Sequence, residues 1–316
     1  MIAEVLSRAA ERLRAAGIDS ARLDARVLLA HVLGVEPNQI PTLPPSWPGP
    51  QGPGHPIFNS QDEKLDRPHP RAMTDDLLKE FEQFIARRIA REPVAYITGR
   101  KGFWDLEFDV GPGALVPRPE TETLIEQALK RFPDRSAALE ILDLGTGTGC
   151  LLLTLLHLYP NATGLGVDSS PEALGWAKRN AQKLGLESRY ALRLADWAQV
   201  KQTGFDLMVT NPPYLSRDDL AAAAPELALE PVQALFGGPD GLDTYRAIAP
   251  LLPRLLAPKG CAILEIGKGQ GEAVSTILRA AGLEIERLAP DLSGIPRCVM
   301  ARAMAQKTVG NPRPSR

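Results

Sequence analysis

Glu140-Ile-Leu-Asp-Leu-Gly-Thr-Gly-Thr-Gly149 is a short apolar run that leads directly into a glycine-rich loop. The run predicts a buried strand, and the apolar residues from Cys150 onward predict a helix. Glycine allows a tight turn and a close approach to a ligand, because no Cβ stands in the way. Asp168 ends the next apolar run about 20 residues later, where a carboxylate can accept hydrogen bonds from ribose hydroxyls. We therefore expect a site for a ribose-containing ligand at the carboxyl end of a parallel sheet.

The same alternation of apolar runs and helical stretches continues along the chain. Strands that alternate with helices indicate an α/β fold with a parallel sheet covered by helices. A hairpin is expected earlier, over Phe103 to Gly111. The other predicted strands cover Gly164 to Asp168, Ala191 to Ala195, Phe205 to Thr210, Cys261 to Glu265, Leu283 to Leu288 and Cys298 to Ala303.

The segment before this region predicts a separate, smaller domain. Residues 2–33 and 77–85 carry apolar residues at helical spacing, which indicates helices that pack on one another, serve to recognise a substrate, or do both. Nine of the 29 prolines fall within 41–73, which indicates a flexible insertion. We expect a helical substrate-recognition domain over 1–92, the main domain over 93–303 and a flexible tail over 304–316.

Composition restricts the classes of function. The 36 lysine and arginine residues against 38 aspartate and glutamate residues give a net charge of −2, which argues against a nonspecific binder of nucleic acid. The scattered Cys150, Cys261 and Cys298 argue against disulfides and zinc, and favour a reducing compartment. No apolar run is long enough to span a membrane, and the charged first turns do not resemble a signal peptide. We expect a cytoplasmic protein without a metal or a membrane partner, and a monomer, although the sequence leaves the oligomeric state open.

The glycine-rich loop leaves a choice of ligand. A nicotinamide cofactor would require glycine at position 150, where this chain has Cys150, and a purely structural turn leaves Asp168 unexplained. The D-x-G-x-G-x-G pattern from Asp143 resembles class I methyltransferases, which implies S-adenosylmethionine as the cofactor and S-adenosylhomocysteine as its product. Trp197, after the predicted strand Ala191 to Ala195, is then either an adenine contact or ordinary core.

Asn211-Pro-Pro-Tyr214 directly follows the predicted strand Phe205 to Thr210 and indicates the chemistry. Prolines do not donate strand hydrogen bonds, so the chain leaves the sheet as a rigid segment. This exit lies at the carboxyl end of the sheet, where the ligand site is expected. The side-chain carbonyl of Asn211 and the backbone carbonyl of Pro212 can accept both N–H bonds of a planar NH2 group, and Tyr214 offers a flat face. Such positioning supplies up to roughly 7–11 kcal/mol in well-oriented systems. The alternative is a turn with a buried tyrosine.

Further segments resemble the HemK/PrmC family of release factor glutamine methyltransferases. The resemblance implies a class I methyltransferase fold, with a seven-stranded sheet whose last strand is reversed and a small N-terminal helical domain. It also implies methylation of N5 of the glutamine in the Gly-Gly-Gln motif of class 1 peptide-chain release factors. The segments that carry it are Glu92 to Gly99, Leu115 to Glu122, Gly237 to Asp243 and Leu264 to Gly267.

The same resemblance assigns residues to the site. The contacts to the substrate amide fall on Asn211, Pro212, Pro213 and Tyr214. The contacts to S-adenosylmethionine fall on Gly145, Thr146, Gly147, Thr148, Gly149, Asp168, Trp197 and Asn211.

Two segments of the family pattern have roles that the sequence leaves open. Arg118–Glu122 is either a helix start with acidic residues in its first turn or a wall of the site. Gly237–Gly241 is either a structural turn or a lid. The chain also departs from the family pattern, because its proline-rich insertion is longer than the usual connection and Ile295-Pro296 interrupts the polar stretch before the last strand.

Three other functions fit parts of the pattern. A glutamine methyltransferase of a ribosomal protein would share the same chemistry. An N6-adenine methyltransferase of nucleic acid would be expected to carry a basic face or a target-recognition domain, which neither the charge balance nor the small N-terminal region offers. A noncatalytic binding module would not need Asn211 and Tyr214.

Overall fold

The computed structural model describes residues 2–40 and 73–304 of the chain. The chain divides into two compact units, Met1–Gly99 and Arg100–Arg316. This division lies after the one expected at Glu92, because the short helix that follows Glu92 packs with the N-terminal helices. The expected domain bounds themselves stay a prediction. The proline-rich insertion and the tail lie outside the described residues, apart from Met73 and Met304.

Helices form the described part of the N-terminal unit. Their apolar residues recur every three or four positions, so each helix buries one face, and Leu13, Leu28 and Phe81 are fully buried there. A buried ion pair, in which Arg88 Nε donates to Asp24 Oδ2 over 2.7 Å, joins two of the helices. The helices are α1 (Ile2–Ala15), α2 (Ala21–Leu33), α3 (Asp75–Ile89) and α4 (Val94–Thr98).

The larger unit opens with the expected hairpin. Its strands, β1 (Arg100–Phe103) and β2 (Leu106–Asp109), pair antiparallel and begin three residues before the predicted start. Trp104 at the turn has a φ of 58°, the left-handed conformation that a tight turn needs.

A seven-stranded sheet forms the centre of the larger unit. Its strands are β3 (Glu140–Leu144), β4 (Thr163–Asp168), β5 (Tyr190–Leu194), β6 (Phe205–Thr210), β7 (Leu256–Glu265), β8 (Leu283–Pro290) and β9 (Pro296–Ala303). They lie in the order β5-β4-β3-β6-β7-β9-β8. Strands β3 to β7 run parallel, whereas β9 is antiparallel to both of its neighbours. The predicted α/β fold with a reversed last strand is therefore confirmed.

Two local features differ from the sequence expectation. Strand β7 begins at Leu256 rather than Cys261, because Phe205 pairs with Leu256 across an irregularity in the register. Strand β9 begins at Pro296 rather than Cys298, because proline is tolerated as the first residue of a strand.

The carboxyl ends of the central strands provide the place for a site. Strand β3 is hydrogen-bonded to β4 on one side and to β6 on the other. Such a switch in strand order opens a crevice where the flanking loops diverge.

Among the described residues, no helix is both long enough and apolar enough to cross a bilayer. The helices of the larger unit are α5 (Glu122–Arg131), α6 (Cys150–Leu158), α7 (Pro171–Lys183), α8 (Arg217–Ala221), α9 (Asp243–Ile248), α10 (Leu252–Leu255) and α11 (Gly271–Ala280).

Candidate active site

The loop between β3 and α6 folds back on the end of β4. The backbone amides of Gly145 and Thr146 both donate to the carbonyl oxygen of Val167, over 2.8 and 3.0 Å. Gly145 and Gly147 have φ angles of 73° and 57°, which residues with a Cβ rarely adopt. The glycines at these two positions are therefore required by the path of the backbone.

Asp168 holds this loop from the next strand. Its Oδ2 accepts a hydrogen bond of 2.8 Å from the Gly147 amide, and its Oδ1 accepts one of 2.9 Å from the Ser170 amide. Each carboxylate oxygen has a further lone pair, so the group can still accept from a ligand.

Asp143 lies beneath the loop and is 1% exposed. The hydroxyl of Thr146 donates to its Oδ2 over 2.7 Å, and Oδ1 has no hydrogen-bond partner among the described residues. Burial raises the pKa of Asp143 to about 7. The first residue of the D-x-G-x-G-x-G pattern thus supports the loop from inside the protein.

Gly149 has a different role from the other loop glycines. Its φ is 82°, and a Cβ there would lie 2.9 Å from Leu153 Cδ1 in the first turns of α6. Glycine at this position therefore allows the helix to start and pack closely.

A pocket of about 840 Å³, part of it open to solvent, lies above the loop. It brings together most of the residues that the sequence assigned to the site. Gly149, Pro212 and Tyr214 are not among its lining residues. Those that do line it are Gly145, Thr146, Gly147, Thr148, Asp168, Trp197, Asn211 and Pro213.

Trp197 fits both interpretations that the sequence left open. It lines the pocket and also packs against the core of the sheet. Asp196 caps the short 3-10 helix Trp197–Gln199, because its Oδ1 accepts from the Ala198 amide over 2.9 Å. The cap fixes where the indole ring enters the pocket.

Asn211 is held by a residue that the sequence did not assign to the site. Its Nδ2 donates to Thr121 Oγ1 over 3.1 Å, and Thr121 lines the same pocket. Thr121 ends the 3-10 helix Pro119–Thr121 that precedes α5. Arg118–Glu122 is therefore both a helix start and a wall of the pocket.

Arg118 itself pairs with a buried carboxylate. It forms an ion pair with Glu230, which is 4% exposed and also accepts from the Val116 amide over 2.9 Å. This pair joins the segment before α5 to the loop that contributes Pro231 and Gln233 to the pocket wall.

Tyr214 is oriented from two sides. Its hydroxyl donates to Glu265 Oε1 over 3.3 Å, and its backbone carbonyl accepts from Gln270 Nε2 over 2.9 Å. Burial raises the pKa of the Tyr214 phenol well above its ordinary value, so the ring is neutral.

Glu265 is the second residue that the sequence did not assign. It ends β7, is 1% exposed, and burial raises its pKa to about 7. A carboxylate that closes the apolar run from Cys261 is the sequence signal for this position, and both Glu265 and Thr121 lie within segments that carry the family resemblance.

The glycine-rich turn Gly237–Gly241 packs directly on the Asn211–Tyr214 segment. A Cβ at Gly237 would lie 2.6 Å from the Pro213 carbonyl oxygen and 2.8 Å from Tyr214 Cα. The contacts favour a structural role for this turn.

Within the described parts of the chain, no cluster of His, Cys, Asp and Glu side chains could hold a metal ion.

Comparisons with known proteins define the family. One family model, a methyltransferase domain, matches residues 135–265, and another, the PrmC N-terminal domain, matches 4–46 and 67–99. A release factor glutamine methyltransferase from Rhodospirillum rubrum is 42% identical over 306 residues, which is 96% of this chain and 86% of the relative. The chain belongs to the release factor glutamine methyltransferase family. A member from Cereibacter sphaeroides is 43% identical over 304 residues, 96% of this chain and 99% of the relative.

Membership of the release factor glutamine methyltransferase family confirms the resemblance seen in the sequence and identifies the chain as a methyltransferase. Among solved structures, a release factor-specific protein-(glutamine-N5) methyltransferase from Alicyclobacillus acidocaldarius is 28% identical. It covers 62% of this chain and 100% of its own, with a TM-score of 0.38. The family assignment rests on the sequence relatives.

Proposed function

We propose that this chain transfers a methyl group from S-adenosylmethionine to N5 of the glutamine in the Gly-Gly-Gln motif of class 1 peptide-chain release factors. One observation carries the proposal: Asn211 and Pro213 line the same pocket as Gly145, Gly147 and Asp168. The segment suited to an amide and the loop suited to a ribose therefore share one cavity. The names of the curated relatives support the release factor as the substrate.

The pocket suits S-adenosylmethionine. The space beside Gly145 is open, because a Cβ built there would meet no atom of the protein within 4 Å. Since Gly145 and Gly147 carry no side chain, a ligand in this space can lie close to the backbone. Asp168 offers a fixed carboxylate for the ribose hydroxyls, and Trp197 offers an aromatic surface for the adenine.

Asn211 would hold the substrate amide. An amide nitrogen is a weak nucleophile because its lone pair is delocalised into the carbonyl group. Asn211 Nδ2 already donates to Thr121, which leaves Oδ1 to accept one N–H of the glutamine. The backbone carbonyl of Pro212 would accept the other, because the two prolines fix the direction of the backbone there.

The chemistry then depends on orientation. When bound, S-adenosylmethionine supplies a methyl group on a positively charged sulfur. The residues of the chain hold the nitrogen so that its lone pair faces this methyl group in line with the C–S bond. The new N–C bond would form as the C–S bond breaks, with S-adenosylhomocysteine as the leaving group, and one N–H proton would pass to water, so the methylated glutamine is a neutral N-methyl amide.

The partner is a protein rather than a nucleic acid. The net charge of −2 supports this choice, since a binder of nucleic acid would be expected to carry a basic surface. We propose that the enzyme acts in the cytoplasm, as a monomer, without a metal ion or a membrane partner. The helical domain over 1–92 would recognise the release factor.

Radiolabelled S-adenosylmethionine tests this function directly. The purified protein is incubated with a class 1 release factor, with a version whose motif is Gly-Gly-Ala, with a ribosomal protein extract and with duplex DNA. We expect one label on the Gly-Gly-Gln glutamine, located by peptide mass spectrometry, and none on the alanine version. Label on DNA or on a ribosomal protein alone would reject the release factor as the substrate.

A further inference from the structure

The ends of two adjacent strands place Asn211 beside Glu265. Strands β6 and β7 run parallel, and Thr210 pairs with Leu264 in their register. The residues that follow, Asn211 and Glu265, therefore lie at the same level of this end of the sheet. One of them is the amide proposed to hold the substrate, and the other is a buried carboxylate.

Thr121 is close to both of these side chains. Its Oγ1 accepts from Asn211 Nδ2 over 3.1 Å, and its hydroxyl is among the groups that lower the pKa of Glu265. Because a hydroxyl has one proton and two lone pairs, it can accept from the amide and still point its proton toward the carboxylate. Thr121 is 2% exposed, so water does not compete for these bonds.

Tyr214 reaches the same carboxylate from the other end of the Asn211–Tyr214 segment. Its hydroxyl donates to Glu265 Oε1 over 3.3 Å. Thr121 therefore holds the first residue of the segment, and Glu265 holds the last. Between them, the two prolines restrict the backbone, so both ends of a stiff segment are fixed.

Burying the ionised carboxylate of Glu265 is energetically unfavourable. Glu265 is 1% exposed, and its Oε2 has no hydrogen-bond partner among the described residues. Burial raises its pKa to about 7, while the hydrogen bonds from Thr121 and Tyr214 act against that rise. An apolar residue would complete the strand without this penalty, so the retained carboxylate indicates a role other than packing.

We infer that Glu265 and Thr121 are positioning residues that fix the Asn211 amide and the Tyr214 ring for methyl transfer to a planar amide. This inference rests on the proposed function. With Nδ2 bound to Thr121, Asn211 presents Oδ1 as the acceptor for the substrate N–H. Without the Thr121 hydroxyl, the Asn211 amide is free to rotate and present either atom.

Thr121→Val and Thr121→Ser form the decisive pair of variants. Valine keeps the shape and removes the hydroxyl, whereas serine keeps the hydroxyl. We expect valine to lower kcat for release factor methylation by about 10- to 100-fold, by analogy with the loss seen when the partner that orients a metal-binding side chain is removed. Serine is expected to restore most of that loss, with the Kd of S-adenosylmethionine close to wild type in both.

Two further variants separate this role from a structural one. Glu265→Gln keeps the size of the side chain but replaces one acceptor oxygen with a donor, so kcat should fall while KM changes little. Thr276→Val removes an exposed hydroxyl that donates to a helix carbonyl on α11 and should leave kcat unchanged. Equal kcat values for the Thr121→Val and Thr121→Ser variants would overturn the inference. So would a Thr121→Val variant that loses cofactor affinity and keeps kcat.

Crystal structures of the two Thr121 variants test the inference independently of the substrate. We expect the Asn211 amide to keep its position in Thr121→Ser and to leave it in Thr121→Val. An unmoved amide in the valine variant would reject the positioning role even if methyl transfer is confirmed. A wild-type protein that methylates no release factor would instead reject the proposed function, whatever the amide does.

Discussion

The hydroxyl of Thr210 donates a hydrogen bond of 2.6 Å to the carbonyl oxygen of Leu144, at the ends of β6 and β3. The glycine-rich loop begins directly after Leu144, and Asn211 directly follows Thr210. Together with the pairing of β3 and β6, this bond links the start of the proposed cofactor loop to the proposed substrate amide site.

Thr210→Val tests this link. Thr210 is fully buried, so the substitution leaves the Leu144 carbonyl without its partner. We expect a loss of about 1–3 kcal/mol in the free energy of unfolding, measured in urea, together with a lower kcat. Thr210→Ser should recover both quantities, and an unchanged stability of the valine variant would contradict the importance of the bond.

Asn211→Ala should separate binding from transfer. Removing the side chain takes away one preorganised polar contact with the substrate amide, so kcat is expected to fall about 10²- to 10³-fold. The affinity for S-adenosylmethionine, measured by isothermal titration calorimetry, should stay close to wild type. Near-wild-type turnover would show that Asn211 does not hold the substrate.

Asp168→Ala should act mainly on the cofactor. The carboxylate supports Gly147 and faces the pocket, so its loss should raise the Kd of S-adenosylmethionine about 10- to 100-fold, as expected for hydrogen bonds to a charged group. Calorimetry of Asp168→Ala beside Asp206→Ala provides the comparison, because Asp206 also accepts from a backbone amide, that of Glu140, and does not line the pocket. Equal affinities in wild type and Asp168→Ala would show that the ribose assignment is wrong.

Gly237→Ala tests the support under the Asn211–Tyr214 segment. A Cβ there would lie 2.6 Å from the Pro213 carbonyl oxygen, so the turn or the segment has to move. Overpacking of this kind typically costs about 1–3 kcal/mol, and we expect kcat to fall as well. Gly175→Ala in α7 is the matched control, because a Cβ at Gly175 meets nothing within 4 Å. If both variants melt and turn over like wild type, the turn does not support the segment.

Asp143 makes stability depend on pH. Burial raises its pKa from 3.8 to about 7 in the folded protein, so the unfolded chain ionises this group at lower pH than the folded one does. The resulting stability is fully present below about pH 4 and is lost as the pH rises through 7. Asp143→Asn should weaken this decline, measured as the free energy of unfolding at pH 5 and at pH 8. An identical decline in wild type and variant would mean that Asp143 does not carry it.

Most of the sheet follows from the sequence for a simple physical reason. Parallel strands that are buried on both faces are nearly continuous apolar runs, and Glu140 to Leu144 therefore marks β3 with its observed bounds. The glycine-rich loop is equally visible, because Gly145 and Gly147 meet a requirement of the backbone itself. Local rules of this kind need no knowledge of the tertiary structure.

Contacts between distant segments are harder to predict. Thr121 and Asn211 are 90 positions apart, and only the packing of α5 beside the sheet brings them together. Tyr214 illustrates the opposite case, because its place in the motif suggested a flat face for the substrate amide, whereas its ring packs beside Gly267 and its hydroxyl reaches Glu265. A motif defines which residues matter, but the direction of each side chain depends on its neighbours in space.

The position of β9 bears on how the enzyme is made. It is the last strand in the described part of the chain, yet it lies between β7 and β8, so β7 keeps an unpaired edge until residues as far as Ala303 have emerged from the ribosome. Glu265 pairs with Cys298 across that edge. A nascent chain that stops short of β9 carries the glycine-rich loop and the Asn211–Tyr214 segment but lacks the partner strand that steadies them. Catalytic competence would thus arise only once β9 has been made, and products truncated before it would expose the edge of β7 and be prone to aggregation.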